Sequence, residues 1–180
     1  MASAFSHAAV ALSVGIVCPP RQLPRRWLLL GMACAVVPDA DVIGFPLGVH
    51  YGDLLGHRGI THSLAFAAVL SIIISVSAPS RSLQGTKRGI LALYLFVATA
   101  SHGVLDAMTN GGLGVAFFAP FSSARYFLPC RPIEVSPIGI SAFFTHRGVV
   151  VLQSEGLWIW APFLGLAMVM HLWRRLHEHP

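Results

Sequence analysis

Five apolar segments with almost no charge inside them constrain the fold more than any other feature of this chain. They cover residues 4–18, 27–37, 63–78, 89–105 and 156–173. Of the 180 residues, 55% are hydrophobic and 11% are charged, whereas soluble domains carry about 25% charged residues. We therefore predict one all-α integral membrane domain over residues 1–180, a bundle of about five transmembrane helices, rather than an apolar soluble domain.

The basic residues predict how this bundle is oriented. Eight of the twelve lie in the first connection (Arg21, Arg25, Arg26), in the third connection (Arg81, Lys87, Arg88) and in the C-terminal tail (Arg174, Arg175), and the other four are spread over the longer second and fourth connections. The positive-inside rule places these three stretches in the cytoplasm, which predicts an N-out, C-in topology. Because the formal net charge of +5 is spread between apolar segments and not gathered on a polar domain, we expect no nucleic-acid partner.

Acidic and imidazole side chains recur at one depth of the predicted bundle. Measured along each helix from the cytoplasmic arginines, His7, Asp39, His62, His102 and Glu155 fall roughly 20–28 Å away at 1.5 Å per residue. Ionisable groups inside a membrane usually face the bundle interior and carry function. We therefore expect these side chains to meet near the extracytoplasmic face.

Two acidic motifs end apolar segments at this depth. His102 and Asp106 are four residues apart, so they share one face of a helix. Asp39 and Asp41 follow Pro38, and an extended Asp-x-Asp sends both carboxylates to the same side. Plainer interpretations stay open: a structural hydrogen bond for the first pair, and a capping loop with solvated acids for the second.

A third motif, Gly-His-Arg-Gly-Ile-Thr-His-Ser at residues 56–63, precedes the third apolar segment. It places His57 and His62 around Arg58. The guanidinium can pair with an acid or bind an anionic substrate, or it can anchor the chain at the membrane interface. Ser63 can cap the following helix.

Together these motifs predict a metal site. The candidate ligands are His7, Asp39, Asp41, His57, His62, His102 and Asp106. Mixed imidazole and carboxylate ligation suits zinc first, with manganese and iron as alternatives. Seven candidates exceed the four ligands of a closed zinc site, so we expect two ions, or one ion with a general base. A structural hydrogen bond is the alternative for His7, and participation of His50, Glu134 or Glu155 is left open.

The connection 106–155 contains no clear further span. Glycines and prolines interrupt it repeatedly, and it is rich in phenylalanine and tyrosine. We expect an interfacial, partly re-entrant cover over the site. Arg125 and Arg131 lie in this cover and are, with Arg58, the candidate substrate-binding residues.

Three motifs also resemble a known family. Pro-Asp-Ala-Asp at 38–41, Gly-His-Arg-Gly-Ile-Thr-His-Ser at 56–63 and Ser-His-Gly-Val-Leu-Asp at 101–106, together with an early His7, are similar to the bacterial membrane-bound, LexA-regulated metal-dependent hydrolases, the YdjM-like proteins. This resemblance implies a multi-pass protein of the bacterial inner (cytoplasmic) membrane with a divalent metal. Some relatives carry a histidine where this chain has Val42, and His50 could replace that ligand.

The expected function is hydrolysis of an ester or phosphoester in an amphiphilic, lipid-like substrate. A metal-activated water would attack at the extracytoplasmic face, Asp41 or Asp106 would accept the proton, and Arg58 would hold an anionic group. The alternatives are a membrane transporter or metal carrier with a His/Asp transit site, and a scaffold with a structural metal. Oligomeric state is left open.

Overall fold

Each of the five apolar segments forms a helix. The computed structural model describes residues 1–17, 23–83 and 86–177, and no residue in these ranges belongs to a β-strand. The helices that the segments form are α1 (Ala4–Val17), α2 (Arg25–Val36), α3 (Leu64–Ser77), α5 (Arg88–Ala107), and α7 (His146–Glu155), which continues through a π-helical turn (Gly156–Trp160) into α8 (Ala161–His177). Two single-turn helices, α4 (Ser80–Leu83) and α6 (Ile140–Phe143), lie in the connections. The predicted positions Cys18 and Arg21 lie outside the described residues.

Helix α5 is the centre of the bundle. It packs against α1, α2 and α3, while α8 packs on α1. Leu91, Leu95 and Ala98 of α5 are fully buried in the main apolar core. Because these residues precede His102 and Asp106 on the same helix, the candidate metal ligands lie at the end of α5 beyond a dry apolar core.

The chain does not become extended after α2. Residues Val37–Leu47 form a 3₁₀ helix that continues α2 and ends at Gly48, whose φ of 88° is left-handed. Successive side chains of a 3₁₀ helix are about 120° apart, so Asp39 and Asp41 leave the helix in different directions. The extended backbone that the sequence analysis assumed is therefore wrong, because the chain stays helical through Pro38, although both carboxylates still reach His62.

Among the described residues, three helical stretches are long and apolar enough to cross a membrane: Arg25–Leu47, Arg88–Ala107 and His146–His177. Helices α1 and α3 are apolar but shorter. The structure therefore supports an all-helical protein with three candidate spans. The count of five spans and the N-out orientation stay predictions.

The last helix begins earlier than its apolar segment indicated. It starts at His146, ten positions before residue 156, because α7 carries the polar residues Arg147, Gln153 and Ser154 that hid its helical character. The residues before it fold back over the ends of α3 and α5. Backbone hydrogen bonds from Leu64 to Phe117, from Ala116 to Arg58 and from Leu128 to Ala107 hold this cover in place.

Candidate metal centre

Four side chains from three chain segments converge beyond the apolar core. Asp39 comes from the 3₁₀ helix, His62 from a short turn (Ile60–His62) before α3, and His102 and Asp106 from α5. His62 Nε2 lies 3.0 Å from His102 Nε2, 3.7 Å from Asp39 Oδ1 and 3.6 Å from Asp106 Oδ2. His102 Nε2 lies 3.2 Å from Asp39 Oδ1 and 3.9 Å from Asp106 Oδ2.

These separations fit one tetrahedral metal ion. Zinc ligands at about 2.0–2.1 Å from the ion lie about 3.3–3.4 Å from each other. Both carboxylate oxygens of Asp39 are buried without a hydrogen-bond partner in the described part of the chain, which is costly unless another group compensates. A cation between the four atoms would supply that compensation, so the residues fit a divalent metal.

The two histidines are oriented to present Nε2 to such an ion. His102 Nδ1 donates to the Ala35 carbonyl at 2.7 Å. His62 Nδ1 lies 3.3 Å from Asp41 Oδ2 and 3.0 Å from Thr61 Oγ1. A partner that holds Nδ1–H leaves the lone pair on Nε2, the arrangement that metal-ligating histidines use.

Asp41 joins a second group that shares His62. Its Oδ1 lies 2.8 Å from His57 Nδ1, and its Oδ2 accepts from the Thr61 hydroxyl at 2.8 Å. Asp41, His57 and His62 could also hold an ion. With His57 Nδ1 engaged by the carboxylate, the buried His57 Nε2 has no hydrogen-bond partner.

His7 lies beside the four-residue cluster. Its ring stacks on His102 with centroids 3.6 Å apart, and its Nε2 lies 3.6 Å from Asp106 Oδ1. Neither ring nitrogen has a hydrogen-bond partner among the residues that the structure describes. The structure therefore brings His7 to the site from α1, as the sequence predicted, but outside the tetrahedral set.

The Arg58 guanidinium forms its hydrogen bonds within the protein. Arg58 is fully buried and adopts a left-handed φ of 62°. Its Nε donates to Asp106 Oδ2 at 3.2 Å, and its terminal nitrogens donate to the carbonyls of Gly111 and Leu113 and to the Thr109 hydroxyl. In this arrangement Arg58 orients the candidate ligand Asp106 and joins it by hydrogen bonds to Gly111 and Leu113 of the cover.

The other two candidate substrate-binding arginines lie on the cover. Arg125 donates to the backbone carbonyls of Tyr51, Asp53 and His57. Arg131 lies over the ring of Phe127, with 4.7 Å between its guanidinium carbon and the ring centroid. Substrate binding by any of the three arginines stays a prediction.

His62 carries the strongest electrostatic perturbation outside the helical spans. Burial alone lowers its pKa, but hydrogen bonds with Asp106, Asp39 and Asp41 outweigh burial and raise the pKa to about 10. Three carboxylates thus surround this imidazole and favour a positive charge there, which an imidazolium or a metal ion can provide.

The three residues left open by the sequence lie away from the cluster. His50 is exposed beside Asp53, and Glu134 pairs with Arg147 on the surface. Glu155 is fully buried, but its carboxylate accepts hydrogen bonds from Ser3 and Ser6. Thr109, a partner of Arg58, was not predicted, since an isolated threonine gives no recognisable signal.

These features define an all-helical membrane protein with a buried His/Asp cluster able to bind a metal ion. The chain belongs to the YdjM inner membrane protein family, whose model matches residues 1–177. It is 39% identical over 177 residues to the inner membrane protein YbcI of Escherichia coli (strain K12), covering 97% of this chain and 99% of that protein.

A second relative matches part of the chain. The protein YvsG of Bacillus subtilis (strain 168), described as uncharacterized, is 32% identical over 94 residues, which cover 48% of this chain and 54% of that protein. No solved structure matches.

Proposed function

We propose that this protein is a multi-pass inner-membrane hydrolase that depends on a divalent metal and cleaves an ester or phosphoester of a lipid-like substrate. The observation that carries the proposal is the set of four buried ligand atoms from Asp39, His62, His102 and Asp106, which all lie within 4.8 Å of one another, with five of the six separations at 3.0–3.9 Å. Zinc is the best match to two imidazoles and two carboxylates, and manganese and iron also suit them.

Proton transfer and the positioning of the proton acceptor would fall to residues around the cluster. A bound divalent ion would lower the pKa of a bound water and polarise the scissile group. Both oxygens of Asp106 already accept hydrogen bonds, from Ala2 and Arg58. Among the described residues His57 Nε2 has no hydrogen-bond partner, and Asp41 contacts the other ring nitrogen, Nδ1. We therefore assign proton acceptance to His57 Nε2, with Asp41 as its positioning carboxylate.

Apolar surroundings favour an amphiphilic substrate. Asp39 is 8% exposed, more than the other three ligands. The 3₁₀ helix that carries Asp39 also carries Ile43 and Leu47, which are 65% and 79% exposed. An apolar surface beside the most accessible ligand suits a molecule that enters from the lipid with its polar group leading.

One observation favours a different class. Four protein ligands complete a tetrahedral zinc site, whereas catalytic zinc sites usually keep a position open for water. A closed site of this kind is typical of structural zinc, and it would also hold the ion of a metal carrier. The fully buried Leu91, Leu95 and Ala98 below the cluster weigh against a carrier, because they form an apolar layer where an ion path would need polar groups.

The test measures metal content and turnover on the same samples. The wild type, His62→Ala and Asp106→Ala are purified in detergent, with His50→Ala as the matched control because its side chain is 88% exposed. We expect about one or two metal ions in the wild type and His50→Ala, and at least tenfold weaker binding in the other two variants. The proteins are then assayed on phospholipids, lipid phosphates and carboxylic esters.

The outcomes separate the classes. Turnover that requires both metal and His62 supports the hydrolase. Bound metal without turnover of any ester shifts the assignment to a carrier or a structural site. A wild type without metal after purification and metal addition would refute the metal centre.

A further inference from the structure

Glu155 is a buried carboxylate that the proposed mechanism does not use. It is fully buried at the end of α7, inside the candidate span His146–His177. In the described part of the chain it forms no ion pair. Its Oε1 accepts from the Ser3 backbone N–H, and its Oε2 accepts from the Ser3 hydroxyl and, at 2.7 Å, from the Ser6 hydroxyl. An acid buried at membrane depth is costly, so its retention calls for a role.

The local helix geometry aims Glu155 at α1. The π-helical turn Gly156–Trp160 follows it directly. Because π-helical hydrogen bonds join residues five apart, Glu155 and Trp160 come to one face. Trp160 Nε1 donates to Ser6 Oγ at 2.8 Å, so the hydroxyl that donates to Glu155 is itself held from the other end of the turn. Single π-helical turns of this kind occur frequently at functional sites.

The segment that Glu155 holds also contacts the metal centre. The Ala2 backbone N–H, one residue before Ser3, donates to Asp106 Oδ1 at 2.7 Å. One turn after Ser3, His7 stacks on His102. A displacement of Ser3 would therefore move a hydrogen-bond donor of one candidate ligand and the ring that covers another.

We propose that Glu155 is a positioning residue of the metal centre. Through Ser3 and Ser6 it fixes the beginning of α1, so that Ala2 orients the Asp106 carboxylate with Oδ2 towards the other ligand atoms and His7 lies on His102. The inference rests on the proposed function for the presence of the metal, and on the hydrogen bonds of Glu155 for the coupling. Glu155 acts through Asp106 and does not contact the ion.

The experiment compares Glu155→Leu with two controls in the full-length protein in detergent. Glu155→Gln keeps the side-chain shape and one acceptor for the Ser3 N–H, and serine hydroxyls can accept from its amide. Val151→Ala removes two methyl groups from a fully buried side chain of α7 one turn earlier, outside the hydrogen-bond network. Zn²⁺ affinity is measured by calorimetry, and amide hydrogen exchange over residues 2–7 is measured in metal-free protein.

We expect Glu155→Leu to weaken Zn²⁺ binding about 10- to 100-fold, the usual effect of losing a group that orients a ligand, and to accelerate exchange over residues 2–7. Glu155→Gln should stay near the wild type in both measurements. Val151→Ala should lose thermal stability yet keep its Zn²⁺ affinity. Ser3→Ala should add little to Glu155→Leu, because the two changes break the same connection.

Two results would overturn the inference while leaving the proposed function intact: unchanged Zn²⁺ affinity in Glu155→Leu, or an equal loss of affinity in Val151→Ala. If the wild type binds no metal, the proposed function fails and the positioning role fails with it. The exchange data then show whether Glu155 fixes α1 for packing alone.

Discussion

His62 is the residue on which the two groups of candidate ligands meet. Its Nε2 faces Asp39, His102 and Asp106, and its Nδ1 faces Asp41. Truncation of this ring would leave three carboxylates close together without the charge between them. Other residues of the site contact one group or the other, so His62 is the position at which metal binding and proton binding compete most directly.

This competition predicts how metal affinity depends on pH. Because the pKa of His62 is raised to about 10, the metal-free ring is protonated at neutral pH and must lose its proton to bind an ion. Metal binding should therefore release a proton, and apparent affinity should rise about tenfold per pH unit between about pH 7 and pH 9. Calorimetry in buffers of different ionisation enthalpy measures the proton. Binding without proton release would contradict the raised pKa.

The same shift has a consequence for stability without metal. A raised folded-state pKa stabilises the protonated form, so this contribution is complete below the unfolded value of about 6.5 and is lost as pH rises through about 10. The free energy of unfolding of the metal-free protein should therefore fall towards alkaline pH, while the apparent metal affinity rises.

At the scale of helices, a close approach of α2 to α5 sets the position of His102. A Cβ on Gly31 would overlap the Tyr94 hydroxyl, which donates to the Ala11 and Leu28 carbonyls. One turn after Gly31, the Ala35 carbonyl accepts from His102 Nδ1. The glycine is needed here because the ring of Tyr94 fills the space beside it.

Gly31→Ala should therefore lower the free energy of unfolding by about 1–3 kcal/mol, because the tightly packed Tyr94 must move. Gly89→Ala is the matched control, since a Cβ there meets nothing within 4 Å, and we expect it to be neutral or slightly stabilising. Thermal unfolding in detergent compares the two. A Gly31→Ala variant as stable as Gly89→Ala would show that α2 and α5 have room to separate.

For the whole molecule, the arrangement relative to the membrane decides which side the site faces. Helix α5 runs from Arg88 at one end to the metal cluster at the other, and it is long enough to span. The positive-inside rule predicts that Arg88 lies in the cytoplasm, and the cluster and its cover would then lie near the opposite face.

Reporter fusions test this topology. A fusion after Arg88 should give a cytoplasmic signal, and a fusion after Gly112 should give an extracytoplasmic one, because α5 crosses between them. Alkaline phosphatase and a fluorescent protein, which report opposite sides, provide the paired readout. A cytoplasmic signal from the Gly112 fusion would place the site on the inner side and exclude a substrate taken from the outer leaflet.

Local chemistry made part of the site predictable. His102 and Asp106 meet the same cluster because a helix brings residues four apart to one face. Asp39 and His62 stood out as rare polar groups at the ends of apolar runs. The backbone at Asp39 and Asp41 was predicted wrongly as extended, since no local signal indicated the 3₁₀ helix that continues through Pro38.

The sequence by itself determined an all-helical membrane protein and a set of candidate metal ligands, because hydropathy and helical periodicity are local properties. Only the tertiary structure decided which four of these candidates lie close enough together to hold one ion. It also showed that Arg58 donates to Asp106 and Gly111, and that Glu155 reaches Ser3. Those contacts join residues far apart in the chain, and no local pattern encodes the packing that brings them together.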